Sequence, residues 1–155
     1  MQELFFAIAQ ANAAYARCID DDRLEQWPDF FTDDCLYRIT TAQNLRDGLE
    51  ASMVFANSKG MLRDRVSALR TANIYERQSY RHMIGAPSIL KVEGDRVETE
   101  SSFIVVRIMR DGATAIFATG RYLDVWIEKS RALKLSERAV VCDSHRIDTL
   151  LALPL

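Results

Sequence analysis

The sequence predicts one α+β domain over residues 1–155, in which helices come first and a long antiparallel meander follows. Two observations lead to this prediction: apolar residues recur at helical spacing near the N-terminus, and four β-rich runs separated by turn signals fill the second half. The composition, with 48% apolar and 27% charged residues, is typical of a globular domain. No internal repeat or linker divides it.

The first elements are predicted to be helical. A helix over Glu3–Ile19 follows from an apolar stripe made of Leu4, Ile8, Ala11, Tyr15 and Ile19. Asp22, with Glu25 three residues later, is typical of the N-cap of a second helix. Pro28 lacks a backbone donor, so this helix is expected to end or kink near Trp27. The corner behind it is expected to be packed by Leu24, Trp27, Phe30 and Phe31.

A short strand and a third helical region are predicted next. Cys35–Thr40 has the composition of a strand, and Asp47-Gly48-Leu49-Glu50 indicates a new N-cap. The helical region is expected to run to Ala72 with a break near Gly60. One face of its second half carries Leu62, Val66 and Leu69. Arg63, Asp64, Arg65 and Arg70 lie largely off this face, and the charges Arg63-Asp64-Arg65 are predicted to be solvated or to lie at an interface.

Four β-rich runs complete the domain, over residues 79–92, 96–110, 113–128 and 132–143. They are separated by Gly94-Asp95, by Asp111-Gly112 and by residues 128–131. Asp-Gly between alternating runs is a strong hairpin signal. Gly85-Ala86-Pro87 is expected to bend the first run, because proline cannot donate to a ladder.

The run Arg96–Arg110 carries apolar residues on both of its faces: Phe103 and Val105 on one, and Ile104, Val106 and Ile108 on the other. A strand with one solvated face alternates apolar with polar residues, so this pattern predicts that both faces are covered. The helices can cover the concave face. For the convex face, a partner subunit, a fold-back of the sheet and a fold-back of the tail Leu150–Leu155 all remain open.

Charge and hydropathy narrow the class of protein. A net charge of −2 does not fit a nucleic-acid-binding polycation. The apolar N-terminus lacks a positive n-region and is interrupted by Gln10 and Asn12, so we expect neither a cleaved signal nor a membrane span. The cysteines are too far apart for a disulfide framework or a zinc pattern: Cys18, Cys35 and Cys142. A reducing cytoplasm is therefore the expected location.

Motifs for chemistry are few. Cys142 and His145 are three residues apart, but zinc needs three or four protein ligands, so a metal site is not expected. The chain has no dinucleotide, phosphate-loop or serine-hydrolase motif. His82 shares strand parity with Tyr80 and Ile84. It would face the interior if Ile84 does, and near Tyr15 or Asp34 it could move protons. The structural interpretation is that His82 is hydrogen-bonded in the core or at an interface.

The element order resembles the cone-shaped NTF2-like fold of nuclear transport factor 2, ketosteroid isomerase and scytalone dehydratase. Within that fold the chain resembles the small (beta) subunit of Rieske non-haem iron aromatic-ring-hydroxylating dioxygenases. The segments that carry this resemblance are Ile19-Asp20, Trp27–Phe31, Asp34–Tyr37, Met61–Arg65 and Tyr80-Arg81-His82. Further segments resemble the terephthalate branch of the family: Asn12–Ala16, Ser67–Arg70, Ala72–Arg77, Val141–Ser144 and Ala152–Leu155.

The resemblance implies a non-catalytic subunit with no catalytic, cofactor-binding or metal-binding residue of its own. Its partners would be a large (alpha) subunit in an α3β3 hetero-hexamer and other copies of itself. The large subunit would hold the Rieske [2Fe–2S] cluster and the mononuclear Fe(II), supplied with electrons from NAD(P)H by a separate reductase. The two centres together need four histidines, and this chain has two, so both cannot lie on it.

Two other functions remain open from the sequence. One is a free-standing isomerase or dehydratase of the ketosteroid-isomerase type that uses His82 as its base in the cone pocket. The other is a binding protein for a small molecule, with an open pocket.

Overall fold

The computed structural model describes residues 1–72, 77–146 and 153–155. Its helices are α1 (Gln2–Asp20), a 3₁₀ helix (Leu24–Phe30), α2 (Ala42–Arg46) and α3 (Lys59–Thr71). Its strands are β1 (Phe31–Thr41), β2 (Val54–Ala56), β3 (Gln78–Ile84), β4 (Ser88–Glu93), β5 (Arg96–Met109), β6 (Thr114–Lys129) and β7 (Ala132–Cys142). Residues 73–76 and 147–152, which fall within two of the resembling segments and the predicted tail, lie outside the described residues.

The sheet confirms the predicted α+β architecture. The strand order is β2-β1-β7-β6-β5-β3, and β4 pairs with the first residues of β5. Only the β1–β7 pair is parallel among the described strands. The curved sheet packs its concave face on α1, whose predicted stripe is buried at Ile8, Tyr15 and Ile19. This is the cone-shaped arrangement that the sequence predicts.

The second helix differs from its prediction. Asp22 does not cap it: its backbone φ is 59°, and its carboxylate accepts hydrogen bonds from Arg70 at 2.9 and 3.0 Å. The segment forms a 3₁₀ helix with Pro28 inside it rather than an α-helix that ends or kinks near Trp27. The predicted packing of the corner is confirmed by Leu24, Trp27 and Phe31, which are all fully buried.

The predicted helix start at Asp47 is wrong. Asp47 lies at the C-cap of α2, and Gly48 follows with a φ of +67°. An Asp-Gly pair suits either end of a helix, because glycine readily adopts the left-handed conformation that terminates one. The long helix instead begins at Lys59, where the Ser58 hydroxyl accepts a hydrogen bond from Met61 N. The first strand also starts four residues earlier than expected, at Phe31.

The predicted meander is confirmed, with the first run divided into β3 and β4 around Pro87. Gly94 and Gly112 have φ values of 60° and 90°, as their turns require. Gly120 has a different role. A Cβ at Gly120 would lie 2.0 Å from the Val141 carbonyl oxygen, so only glycine allows β6 to approach β7 this closely.

Candidate functional site on the two faces of the sheet

A charged pair lies at the centre of the cone. The Arg138 guanidinium donates from Nε and Nη2 to the two oxygens of Asp124, each at 2.8 Å, and both side chains are fully buried. Nη2 also donates to Asn12 Oδ1 at 2.7 Å, which ties α1 to β7. A bidentate arginine–carboxylate pair of this kind fixes two side chains in one orientation.

Aromatic rings surround the pair. The Arg138 Cζ lies 4.3 Å from the ring centroid of Tyr15 and 4.0 Å from that of Tyr122. Burial raises the pKa of both tyrosines, although the charge of Arg138 opposes it. Burial also raises the pKa of Asp124, again against the effect of Arg138. Burial by itself would lower the pKa of Arg138, but Asp124 outweighs it and raises that pKa.

Residues 153–155 lie in the interior. Leu153 and Leu155 are buried. The main-chain oxygen of Leu155 accepts hydrogen bonds from the hydroxyls of Tyr15, at 2.9 Å, and Tyr37, at 3.0 Å. Leu155 N donates to Tyr37 Oη at 3.2 Å. The described tail, Leu153–Leu155, therefore lies on the concave side, and it does not cover the convex side.

His82 faces the interior, as its parity predicts, but its partner is neither Tyr15 nor Asp34. Its Nδ1 lies 2.7 Å from Asp20 Oδ1, and its backbone N–H donates to Asp20 Oδ2 at 2.9 Å. Asp20 ends α1, so this contact fastens α1 to the edge strand β3. The imidazole is fully buried. The interpretation of His82 as a hydrogen-bonded core residue is thus confirmed.

The residues that could bind a metal do not converge. Cys142 is buried and His145 is exposed, and the other two cysteines are buried at separate places, Cys18 on α1 and Cys35 on β1. No group of three or more His, Cys, Asp or Glu in the described ranges could hold a metal ion. The side chains of the described residues therefore do not fit a Rieske cluster or a mononuclear iron.

None of the described helices is long and apolar enough to cross a membrane.

The convex face of the sheet carries an exposed apolar patch. Met83, Ile104 and Ile116 are 62%, 40% and 68% exposed. The register places Met83 opposite Ile104, and Val106 opposite Ile116, so the four residues adjoin on one face. Because β4 reaches only residues 96–100 of β5, the sheet does not fold back over this patch. We call Met83, Ile104, Val106 and Ile116 the outer patch.

The charged face of α3 divides into two parts. Arg63 and Asp64 are exposed, as predicted for a solvated or interface face. Arg70 instead makes ion pairs with Asp22, at 2.9 Å, and Glu25, at 2.7 Å. It therefore fastens α3 to the corner after α1.

Sequence reasoning missed the buried pair. The burial of Asp124 could have been predicted, because Asp124 shares strand parity with Tyr122 and Trp126, which are both fully buried. Arg138 had a similar signal, because it shares parity with the buried residues Val140 and Cys142, although the β6–β7 register shift near Leu135 breaks the alternation toward the start of β7.

Comparison with known proteins agrees with this geometry. The family model for the ring hydroxylating beta subunit matches residues 14–149. The chain is 52% identical to subunit beta 1 of the terminal oxygenase component of terephthalate 1,2-dioxygenase from Comamonas sp., over 96% of each chain. It is 37% identical to the anthranilate 1,2-dioxygenase small subunit from Burkholderia cepacia, over 97% of this chain and 94% of that one.

A solved structure gives the same result. A chain from Novosphingobium aromaticivorans, described as the beta subunit of an aromatic-ring-hydroxylating dioxygenase, superposes with a TM-score of 0.92 and 45% identity. The match covers 99% of this chain and 98% of that one. The sequence match, the curved sheet over α1 and the shared fold agree, and the chain belongs to the family of ring-hydroxylating dioxygenase beta subunits.

Proposed function

We propose that this chain is the non-catalytic small subunit of a multicomponent dioxygenase that acts on terephthalate, and that it works by binding and holding the large subunits. The single observation that carries this proposal is the outer patch, an exposed apolar surface on a face that the chain's own described elements leave uncovered. Contiguous apolar surface rimmed by polar residues marks a protein interface in a soluble domain. The 52% identity to terephthalate dioxygenase subunits supports terephthalate as the ring substrate.

The outer patch fits a stable, permanent partner. Its rim carries charge, with Arg81 on β3 and the Arg121–Glu100 ion pair at 3.2 Å on β6 and β5. An apolar centre with a charged rim is the usual anatomy of a subunit interface. We assign the patch to the large subunit. Contacts between small subunits, needed for an α3β3 hexamer, would then use other surfaces, among them the exposed face of α3 at Arg63.

The cofactors belong to the partner in this proposal. The chemistry of ring dihydroxylation needs a Rieske cluster and a mononuclear iron, and the large subunit would hold both. The small subunit would position neighbouring large subunits without touching substrate. NAD(P)H would supply electrons through a separate reductase, and the assembly would work in the bacterial cytoplasm.

Copurification tests the assembly role. A tagged chain co-expressed with the untagged large subunit of the same organism should capture it and yield a coloured, iron-containing complex that consumes terephthalate. The double substitution I104E/I116E places charge on the outer patch and should abolish capture. F6E is the matched control, because Phe6 is 57% exposed on α1, away from the patch, and capture should survive there. Equal capture by both variants would contradict the assignment of the patch.

The lone chain tests the non-catalytic role. Purified alone, it should bind no iron and turn over no aromatic acid. The alternative function is an isomerase or dehydratase with His82 as its base. One observation favours it: Asp20 lies against His82 Nδ1, and a carboxylate in that position orients the imidazole of many catalytic histidines. A reaction catalysed by the lone chain and abolished in H82A would overturn the subunit proposal in favour of that alternative.

A further inference from the structure

The interior of the cone holds a set of hydrogen-bond donors that meet on one oxygen. The hydroxyls of Tyr15 and Tyr37 both donate to the Leu155 main-chain oxygen, and these two side chains come from different elements, α1 and β1. Two fixed donors on one acceptor form a site for any carbonyl or carboxylate oxygen placed there.

More donors in the same interior have no partner. Within the described part of the chain, the Tyr122 hydroxyl and Arg138 Nη1 are buried and make no hydrogen bond. Buried polar groups usually find a partner, and those that lack one call for an unseen ligand or water. The Tyr122 ring lies 4.0 Å from the Arg138 Cζ and 6.4 Å from the Tyr15 ring between centroids, so these donors belong to the same aromatic cluster as Tyr15.

The rings of this cluster pack closely against one another. Tyr15 packs edge-on against Phe31 at 6.3 Å and Tyr122 at 6.4 Å, while Tyr122 stacks on Phe103 at 4.6 Å between ring centroids. Aromatic walls with a few convergent polar groups are the usual composition of a small-molecule pocket.

We propose that the cone interior is a binding site for a small aromatic monocarboxylate, which Leu153–Leu155 occupies in cis. One carboxylate oxygen takes the place of the Leu155 oxygen between Tyr15 and Tyr37, and the ring takes the place of the leucine side chains. The site is separate from the dioxygenase chemistry of the partner and stands whether or not the assembly role is correct.

Calorimetric titration with benzoate tests the site. The full chain should give no saturable heat, because the tail already holds the donors. A variant that lacks residues 153–155 should bind benzoate with saturation, and Y37F in that background should bind about tenfold more weakly, since it lacks one of the two donors. Benzamide, which keeps the carbonyl but lacks the charge, is the ligand control and should bind more weakly than benzoate.

Three results would overturn the proposed benzoate site. A shortened chain with a native circular-dichroism spectrum and no saturable heat would overturn the proposal, and so would unchanged affinity in Y37F. If the shortened chain does not fold, the full-length L153A/L155A variant, which loosens the tail, should bind benzoate instead. If neither variant folds, the tail is an integral part of the core rather than a replaceable occupant, and the proposal fails.

Discussion

Removing the charge of Asp124 should destabilise the domain strongly. In D124N the Arg138 guanidinium keeps its charge, stays fully buried and loses the carboxylate that accepted two hydrogen bonds at 2.8 Å. Asn12 Oδ1 remains as an acceptor but brings no charge. Breaking a buried ion pair on one side costs about 3–5 kcal/mol. For a domain of this size, about 2–4 °C is lost per kcal/mol, so Tm should fall by about 6–20 °C.

The assay is thermal and urea unfolding followed by circular dichroism at one fixed protein concentration, since any self-association would shift the apparent stability. E100Q is the matched control. The Glu100–Arg121 pair also joins two neighbouring strands, β5 and β6, but its side chains are 38% and 42% exposed. Its loss should cost at most about 1 kcal/mol. Equal losses in D124N and E100Q would refute the reasoning from burial.

The Asp124–Arg138 pair also predicts that the unfolding free energy of R138M depends on pH. Burial raises the pKa of Asp124, and R138M removes the charge that opposes this rise. The folded-state pKa then lies above the unfolded value of about 3.9, so the native state of the variant holds the extra proton. Its unfolding free energy should therefore fall as pH rises through the folded-state pKa. A variant whose stability instead rose with pH over that window would show that Asp124 is not desolvated there.

Three further outcomes are expected. G120A should lower Tm by several degrees or prevent folding, because its Cβ would lie 2.0 Å from the Val141 carbonyl oxygen. G60A is the comparison, because a Cβ there would meet only the Ser58 hydroxyl at 3.7 Å, and its loss should be smaller. Cys142 should react with a thiol reagent only after unfolding, because burial raises its pKa to about 12. S58A should cost about 1 kcal/mol in urea unfolding through loss of the cap on α3, and an unchanged midpoint would contradict that role of the hydroxyl.

The fold could be predicted because local and global signals agree along most of the chain. The apolar stripe of α1 and the alternation along β5 and β6 each define a buried face without knowledge of the partner element. The error at Asp47 has the opposite cause. Aspartate and glycine stabilise both ends of helices, and what decides between them is the pairing of β2 with β1, a contact that no local pattern specifies.

The candidate sites were predictable only in part. Parity placed His82 inside, but its partner Asp20 is 62 residues away in sequence and meets it only because α1 crosses β3. The two-faced apolar character of β5 predicted a covered convex surface, and the exposure of Ile104 shows that the described chain does not cover it. Long-range contacts of this kind follow from topology, which a single sequence constrains weakly.

The tail determines what the interior can do. With Leu155 in place, the hydroxyls of Tyr15 and Tyr37 have an acceptor, and without it both would be buried donors that each cost about 1–3 kcal/mol. An empty, dry cone is therefore the least stable of its states. These two hydroxyls therefore need an acceptor oxygen from the tail, from water or from a ligand. While the tail stays in place, the apolar surface open to other molecules includes the convex side, where Ile104 and Ile116 are exposed.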